Sequence, residues 1–295
     1  MVLIICLNST LFISGFCIGM SSFEDMLYSS SDPGFNLLYK RKPQKDNFIF
    51  EDSSYDFNFV NEDIIKKTEY ENDPFPHTVI DNFFKKEKVD DILKHINELK
   101  DEDAQSKFVN PHSPYEFNKY AFNDNYGDYL KEIFKELNSP QFIGYLEKLT
   151  GIKGLITDDL TLLGAGIHRI RINGFLQLHT DFNTYESEQG LVDRRLNLLI
   201  YMNPEWKDEY KGALCLCDKK TNRCIKKISP ILNRCVIFNT TSKSIHGHPE
   251  RLRVPDDSIR RQSIAVYYYT KNTSSPFDFE GDLSHSTLWH PSINV

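Results

Sequence analysis

Phe175-Leu176-Gln177-Leu178-His179-Thr180-Asp181-Phe182-Asn183 is the stretch from which the rest of the chain can be read. On a β-strand, residues two apart point to the same side, so His179 and Asp181 can face one cavity while Thr180 points away. A third metal-ligand type stands far downstream, at His246 in Lys243-Ser244-Ile245-His246-Gly247-His248-Pro249. Two imidazoles and one carboxylate can cap one face of an octahedral metal and leave the opposite face open, the arrangement that suits non-haem Fe(II). His-X-Asp is a short pattern and arises often by chance, and His248 competes with His246 in register. The significance of the pattern therefore depends on what surrounds it.

The surroundings are short apolar runs divided by turns. From Leu160 onward they are Gly166 to Ile172, Phe175 to His179, Leu196 to Met202, Ala213 to Cys217, Cys224 to Ile228, Cys235 to Asn239 and Ser263 to Thr270. Many short strands at this spacing predict an antiparallel sandwich or barrel, with a jelly roll as the natural form and a mouth where the three ligands converge. Beyond the distal His, Ile259-Arg260-Arg261-Gln262-Ser263-Ile264-Ala265-Val266-Tyr267 alternates so that Arg261, Ser263, Ala265 and Tyr267 share a face. An Arg fork beside a hydroxyl suits a carboxylate, which it binds through two parallel charge-assisted hydrogen bonds. Arg260 is the adjacent alternative; alternation with Ser263 selects Arg261.

Upstream the texture is helical. Val89, Ile92, Leu93 and Ile96 recur at helix spacing over Lys85 to Leu99, a second helix is expected over Asp128 to Leu137, and Ser139-Pro140 starts a third. Between them, Lys107 to Asn125 carries Tyr115, Phe117, Tyr120 and Phe122 and reads as a lid, an entrance loop or a surface loop with packed rings. Pro74 to Phe84 has a β-branched centre and reads as a strand. The expected organisation is an apolar segment over 1–20, an extended or partly disordered leader over 21–73 and one domain over 74–295. That domain comprises a helical part at 85–150, a jelly-roll core at 160–270 and a tail at 271–295. Aromatic residues late in the leader, among them Phe48, Phe50, Tyr55, Phe57 and Phe59, either stay extended or drape over the domain.

Composition excludes some roles. With 35 basic against 42 acidic residues the net charge is −7, which gives no electrostatic footprint for nucleic acid. The mean hydropathy is −0.46, and a membrane enters only if residues 1–20 are an uncleaved anchor. That segment lacks Lys and Arg, so secretory signal, anchor and ordinary apolar segment all stay open, and localisation with them. The cysteines Cys6, Cys17, Cys215, Cys217, Cys224 and Cys235 lack the paired spacing of a zinc site. They read as buried thiols, with a cross-hairpin disulfide between Cys217 and Cys224 as the alternative in an oxidising compartment. Asn8, Asn239 and Asn272 open glycosylation-type triplets.

Taken together, several motifs in order carry a family resemblance: Gly164-Ala165-Gly166-Ile167-His168, Gly174-Phe175-Leu176, His179-Thr180-Asp181-Phe182-Asn183, Arg194 through Asn203, Asn233-Arg234, His246-Gly247-His248-Pro249 and Arg261-Gln262-Ser263-Ile264-Ala265. The region resembles the 2-oxoglutarate/Fe(II)-dependent oxygenases of the prolyl 4-hydroxylase-like branch. The resemblance implies a mainly β fold, a double-stranded β-helix with flanking helices packed against it, and iron held by His179, Asp181 and His246. It also implies 2-oxoglutarate gripped at its far carboxylate by Arg261 with Ser263, and hydrogen-bonded by Tyr201. His168 stands where some relatives carry a cosubstrate-binding tyrosine, and a strand histidine satisfied by its neighbours is the other reading. O2 is the oxidant and ascorbate an accompanying reductant. The implied reaction hydroxylates an unactivated C–H bond and releases succinate and CO2. Its substrate is a prolyl residue in a protein or peptide, or alternatively a free amino acid or other small molecule. A non-catalytic jelly-roll binding protein is the reading from another class, and the intact residue set speaks against it. Substrate identity is expected to sit in loops such as Thr184 to Val192.

Overall fold

The computed structural model describes residues 55–157, 164–187, 190–272, 284–293 and 295. Residues 1–20, Cys6, Cys17, Asn8, Phe48, Phe50 and most of the leader lie outside the described residues. Within them, no helix is long and apolar enough to cross a membrane.

The described chain opens with a one-turn helix α1 (Glu62–Ile65) and strand β1 (His77–Asp81). Three longer helices follow: α2 (Lys86–Glu98), α3 (Asp128–Leu137) and α4 (Pro140–Thr150). The hairpin β2 (Ser106–Phe108) and β3 (Glu116–Phe122) lies between α2 and α3. The remaining strands are β4 (Gly166–Thr180), β5 (Thr184–Ser187), β6 (Gly190–Tyr201), β7 (Leu214–Asp218), β8 (Arg223–Ile228), β9 (Arg234–Asn239), β10 (Ile245–His248), β11 (Arg261–Lys271) and β12 (Leu288–Trp289). Their order is β1-β9-β6-β11-β4-β10-β7-β8, with every pairing antiparallel. This curled antiparallel sheet is a jelly roll with a few helices packed on it.

β4 is the element that makes two sheets out of one. The two runs expected at Gly166 to Ile172 and Phe175 to His179 form a single strand. Its first half pairs with β11, Ile170 opposite Arg261, and its second half with β10, His179 opposite His246. The change occurs at Asn173, which has φ 61°, and Gly174, where a Cβ would lie 2.7 Å from the carbonyl oxygen of Arg171. Strands that cross from sheet to sheet bend at such irregular points.

Side-chain alternation sorts the residues into layers. Leu196, Leu198 and Ile200 on β6, with Ile264, Val266 and Tyr268 on β11, belong to one buried cluster with Ile92 and Ile96 of α2 and with Leu130, Ile133 and Phe134 of α3. Phe142, Tyr145 and Leu146 of α4 complete it. Each such side chain contributes about 1.5–3 kcal/mol by leaving water. The alternate positions Asn197, Leu199 and Tyr201 pair with Tyr267, Ala265 and Ser263, and so turn to the other face. α4 starts as its sequence predicts: the Ser139 Oγ caps it, accepting from the Phe142 N–H at 3.2 Å. Arg169, fully buried, ties the C-terminus of α2 to the sheet by donating to the carbonyls of Ile96 and Leu99 and to Asp101.

Two expectations need revision. Lys107 to Asn125 is largely a β-hairpin, because β3 lies along β4 and its Phe122 faces the core; a lid over the mouth is not what this segment forms. Thr184 to Val192 is mainly the β5–β6 hairpin. Late in the leader the draped alternative is the one found: Tyr55, Phe57 and Phe59 are buried against α3 and α4, and the Glu136 carboxylate accepts the N–H groups of Asn58, Phe59 and Val60. Cys217 and Cys224 face each other across β7–β8 and are joined as a disulfide, whereas Cys215 and Cys235 are buried thiols.

Candidate metal centre and cosubstrate pocket

His179 and His246 are direct neighbours across the β4–β10 pair, so sheet register alone brings their rings to 4.5 Å between centroids. Asp181 follows just beyond the end of β4, with its Oδ1 3.5 Å from His179 Nε2 and its Oδ2 3.4 Å from His246 Nε2. Ligand atoms each about 2.0–2.2 Å from one metal ion lie roughly 3–3.5 Å from one another. The three residues thus make a metal-sized cluster.

The close approach of β10 to β4 requires Gly247. A Cβ there would sit 2.7 Å from the carbonyl oxygen of Gln177 and 3.0 Å from that of Leu176. Gly247→Ala is expected to force the strands apart, lower stability by about 1–3 kcal/mol and weaken metal binding together with it. Thermal unfolding and a metal titration on the same sample check this.

The donors are also prepared chemically. The Nδ1 of His179 meets the Gln177 carbonyl at 2.8 Å and that of His246 meets the Ser244 carbonyl at 2.9 Å. A carbonyl only accepts, so each Nδ1 carries the proton and each Nε2 keeps its lone pair for a metal. Burial, opposed by Asp181, pushes the His246 pKa down to about 4, which keeps that ring neutral at physiological pH. Burial would raise the Asp181 pKa, but Arg194 together with His246 and His179 outweighs it and holds the carboxyl well below the usual range.

Two of the groups around Asp181 were not singled out as site residues by sequence reasoning. Asn197 Nδ2 donates to Asp181 Oδ2 at 2.7 Å, and Arg194 Nη2 lies 3.0 Å from the same oxygen. Arg194 is buried, with its guanidinium 3.5 Å from the Tyr267 ring centroid and 4.8 Å from that of Phe182, and it donates to Asn197 Oδ1. The signal for Asn197 was its place on the inward face of β6. The signal for Arg194 was its place at the head of the Arg194 through Asn203 motif, which does not tell that its guanidinium meets Asp181.

The same cavity contains the expected cosubstrate residues. His168, Arg261 and Ser263 line it together with His179, Asp181 and His246. Ser263 stands in register between His168 on β4 and Tyr201 on β6. Arg261, 5% exposed, donates through Nε to the Gly212 carbonyl at 2.7 Å and through Nη2 to the Tyr201 hydroxyl at 3.3 Å, leaving the rest of its fork for a ligand. Tyr201 is fully buried and reaches Arg261, so its hydroxyl serves to hold the guanidinium. Arg260 instead turns back to the Asp257 carbonyl. His168 directs Nε2 at the Gly164 carbonyl, 3.1 Å away; burial, with Lys119 nearby, pushes its pKa down to about 3. His248 also lines the cavity, beyond the bulge that separates it from His246, and burial with the positive charge of Arg261 keeps it neutral. Two further residues of the wall are Lys119 on β3, from the segment read as a lid or entrance loop, and Trp289 on β12, from a tail the sequence did not connect to the site.

Comparison with known proteins gives a family match and several similar solved structures. The sequence profile of the 2OG-Fe(II) oxygenase superfamily matches residues 165–269. No curated protein matches the chain. Among solved structures, it is similar to a prolyl hydroxylase of Trichoplax adhaerens in complex with a hypoxia inducible factor oxygen degradation domain peptide fragment. The identity is 16%, over 66% of this chain and 84% of that one, with a TM-score of 0.49. It is also similar to a prolyl 4-hydroxylase of Phytophthora capsici (14% identity, 77% and 70% covered, TM-score 0.48). A third is HygX of Streptomyces hygroscopicus with nickel and 2-oxoglutarate bound (12% identity, 72% and 92% covered, TM-score 0.44). The matched segment runs from the start of β4 into β11 and includes every donor of the cluster and the Arg261–Ser263 pair; over these residues the chain matches the 2OG-Fe(II) oxygenase superfamily, and the match together with the His179–Asp181–His246 cluster supports a 2-oxoglutarate-dependent dioxygenase with Fe(II) and 2-oxoglutarate as cofactors.

Proposed function

We propose that this dioxygenase hydroxylates an unactivated C–H bond of a prolyl residue in a protein or peptide, with succinate and CO2 as co-products. In this reading His179 Nε2, His246 Nε2 and Asp181 hold the iron, and Arg261 with Ser263 receives the distal carboxylate of 2-oxoglutarate. The observation that carries it is the convergence of two tautomer-fixed imidazoles, one carboxylate and a buried Arg–Ser pair on one cavity.

The donor set suits Fe(II): two neutral imidazoles and a single carboxylate leave net positive charge on the metal and open positions for a chelating keto acid. Iron and 2-oxoglutarate, when bound, supply the oxidising chemistry. The protein's part is to orient and enclose. Arg261 has no room to swing, because Gly212 and Tyr201 hold two of its N–H groups, so a dicarboxylate can lie in only one direction. Arg194 and Asn197 fix Asp181 at Oδ2, which leaves Oδ1 for the metal. The prolyl substrate is supported by the likeness of the motif set to the prolyl 4-hydroxylase-like branch and by the aromatic ring of Trp289 in the cavity wall.

The test incubates the iron-loaded protein with 2-oxoglutarate, O2 and ascorbate against proline-containing peptides and a pool of free amino acids and other small molecules. Succinate should form in step with a peptide product heavier by roughly 16 Da, as one inserted oxygen requires. Succinate matched by a modified small molecule, with peptides untouched, would replace the prolyl reading.

A further inference from the structure

The C-terminal segment is not a loose tail. β12 continues along β4 beyond the end of β3, placing Leu288 opposite Thr180 and Trp289 opposite the metal-site histidine His179. Several contacts hold it there. The His285 N–H donates to Asn183 Oδ1 at 2.8 Å, the His290 N–H donates to the Leu178 carbonyl at 2.8 Å, and Ile293 is buried with Leu178, Cys215 and Ile245. The Trp289 ring consequently stands in a file of four. His246 and His179 are 4.5 Å apart, His179 and Trp289 are 5.2 Å apart, and Trp289 and Tyr115 are stacked at 4.7 Å. Trp289 lines the cavity and is half-buried, whereas Tyr115 is 42% exposed behind it.

We propose that Trp289 is the substrate-side wall of the metal cavity, the surface on which the target ring of a proline-rich polypeptide lies, and that Tyr115 is the positioning residue that holds it upright. The inference rests on the prolyl reading and adds to it where the polypeptide is gripped. The indole lines the cavity beside a metal-site histidine and so offers apolar ring surface to a group held next to the donor cluster. Proline-rich segments, which are already extended and lose little entropy on docking, characteristically lie on aromatic-lined surfaces. Behind the indole the aromatic surface continues outward through the stacked ring of Tyr115, which is exposed.

The experiment uses the full chain loaded with Fe(II) and 2-oxoglutarate without O2, titrated with a poly-L-proline peptide, and then assayed for hydroxylation in air. Trp206 and Trp289 are the only tryptophans, so the emission missing from Trp289→Phe reports on the wall directly. Peptide should shift that emission saturably. Trp289→Ala should weaken peptide binding about tenfold or more while leaving the affinities for Fe(II) and 2-oxoglutarate unchanged. Trp289→Phe and Tyr115→Phe should keep most of the binding, and Tyr115→Ala should lose part of it. Equal peptide binding and hydroxylation by wild type, Trp289→Ala and Trp289→Phe would overturn the wall and leave the prolyl reading standing. If the wild type neither binds nor hydroxylates any prolyl peptide, both fall. An emission shift with a glycoside but not with peptide would assign the wall to a saccharide and overturn the proposal.

Discussion

Asp181→Ala is expected to reduce 2-oxoglutarate turnover to background and to destabilise the protein even without iron. The carboxylate is the one anion in the donor set, and its removal leaves Arg194, buried and 3.0 Å from the lost oxygen, facing the metal position without a counter-ion. Breaking a buried pair by removing one partner typically costs about 3–5 kcal/mol. The same uncompensated cation would repel Fe(II). His179→Ala removes a neutral donor and leaves the Asp181–Arg194 pair intact, so it should abolish turnover with a smaller loss of stability. Iron titration and thermal unfolding of the two variants side by side check the contrast. The sign with pH follows from the depressed Asp181 pKa: its pairing contributes stability throughout the range above the ordinary carboxylate pKa. That contribution is lost only as pH falls below it, through the folded-state value.

Arg261→Ala should act on the cosubstrate and spare the metal. Hydrogen bonds to charged groups are worth about 1.5–3 kcal/mol, so 2-oxoglutarate affinity should fall by about ten- to a hundredfold while Fe(II) affinity stays at the wild-type level. Arg261→Lys keeps the charge but loses the planar fork and the simultaneous contacts to Gly212 and Tyr201, and should recover only part of the affinity. Anaerobic binding of 2-oxoglutarate to the iron-loaded variants measures this directly.

The parts of the site that obey strand periodicity were legible in the sequence. His179 and Asp181 two apart, Arg261 and Ser263 two apart, and Asn197, Leu199 and Tyr201 on one face each follow from alternation, and the structure places them as alternation predicts. The jelly roll was likewise legible from the spacing of its apolar runs. What could not be read depends on which distant segments lie side by side. Tyr201 turns out to support Arg261 because Arg261 lies between it and the cavity, a fact of depth that a face assignment does not give. The Lys107 to Asn125 segment reads as a loop because its aromatics show no clear period. It forms β3 because β4 offers an open edge, interrupted at Asn118, where φ is 51°. Arg194 stands in a motif with no partner named and Trp289 in the tail until the fold sets one against Asp181 and the other against His179.

The most direct test of the central claim is an anaerobic titration of the protein first with Fe(II) and then with 2-oxoglutarate, followed by its visible absorption. If His179, Asp181 and His246 hold the metal and Arg261 orients the cosubstrate, a charge-transfer band should grow to saturation when 2-oxoglutarate is added to the iron-loaded protein. It should be absent in His179→Ala and require more 2-oxoglutarate in Arg261→Ala. A correctly folded wild-type protein that binds no iron, or whose band is unaffected by both substitutions, would contradict the account.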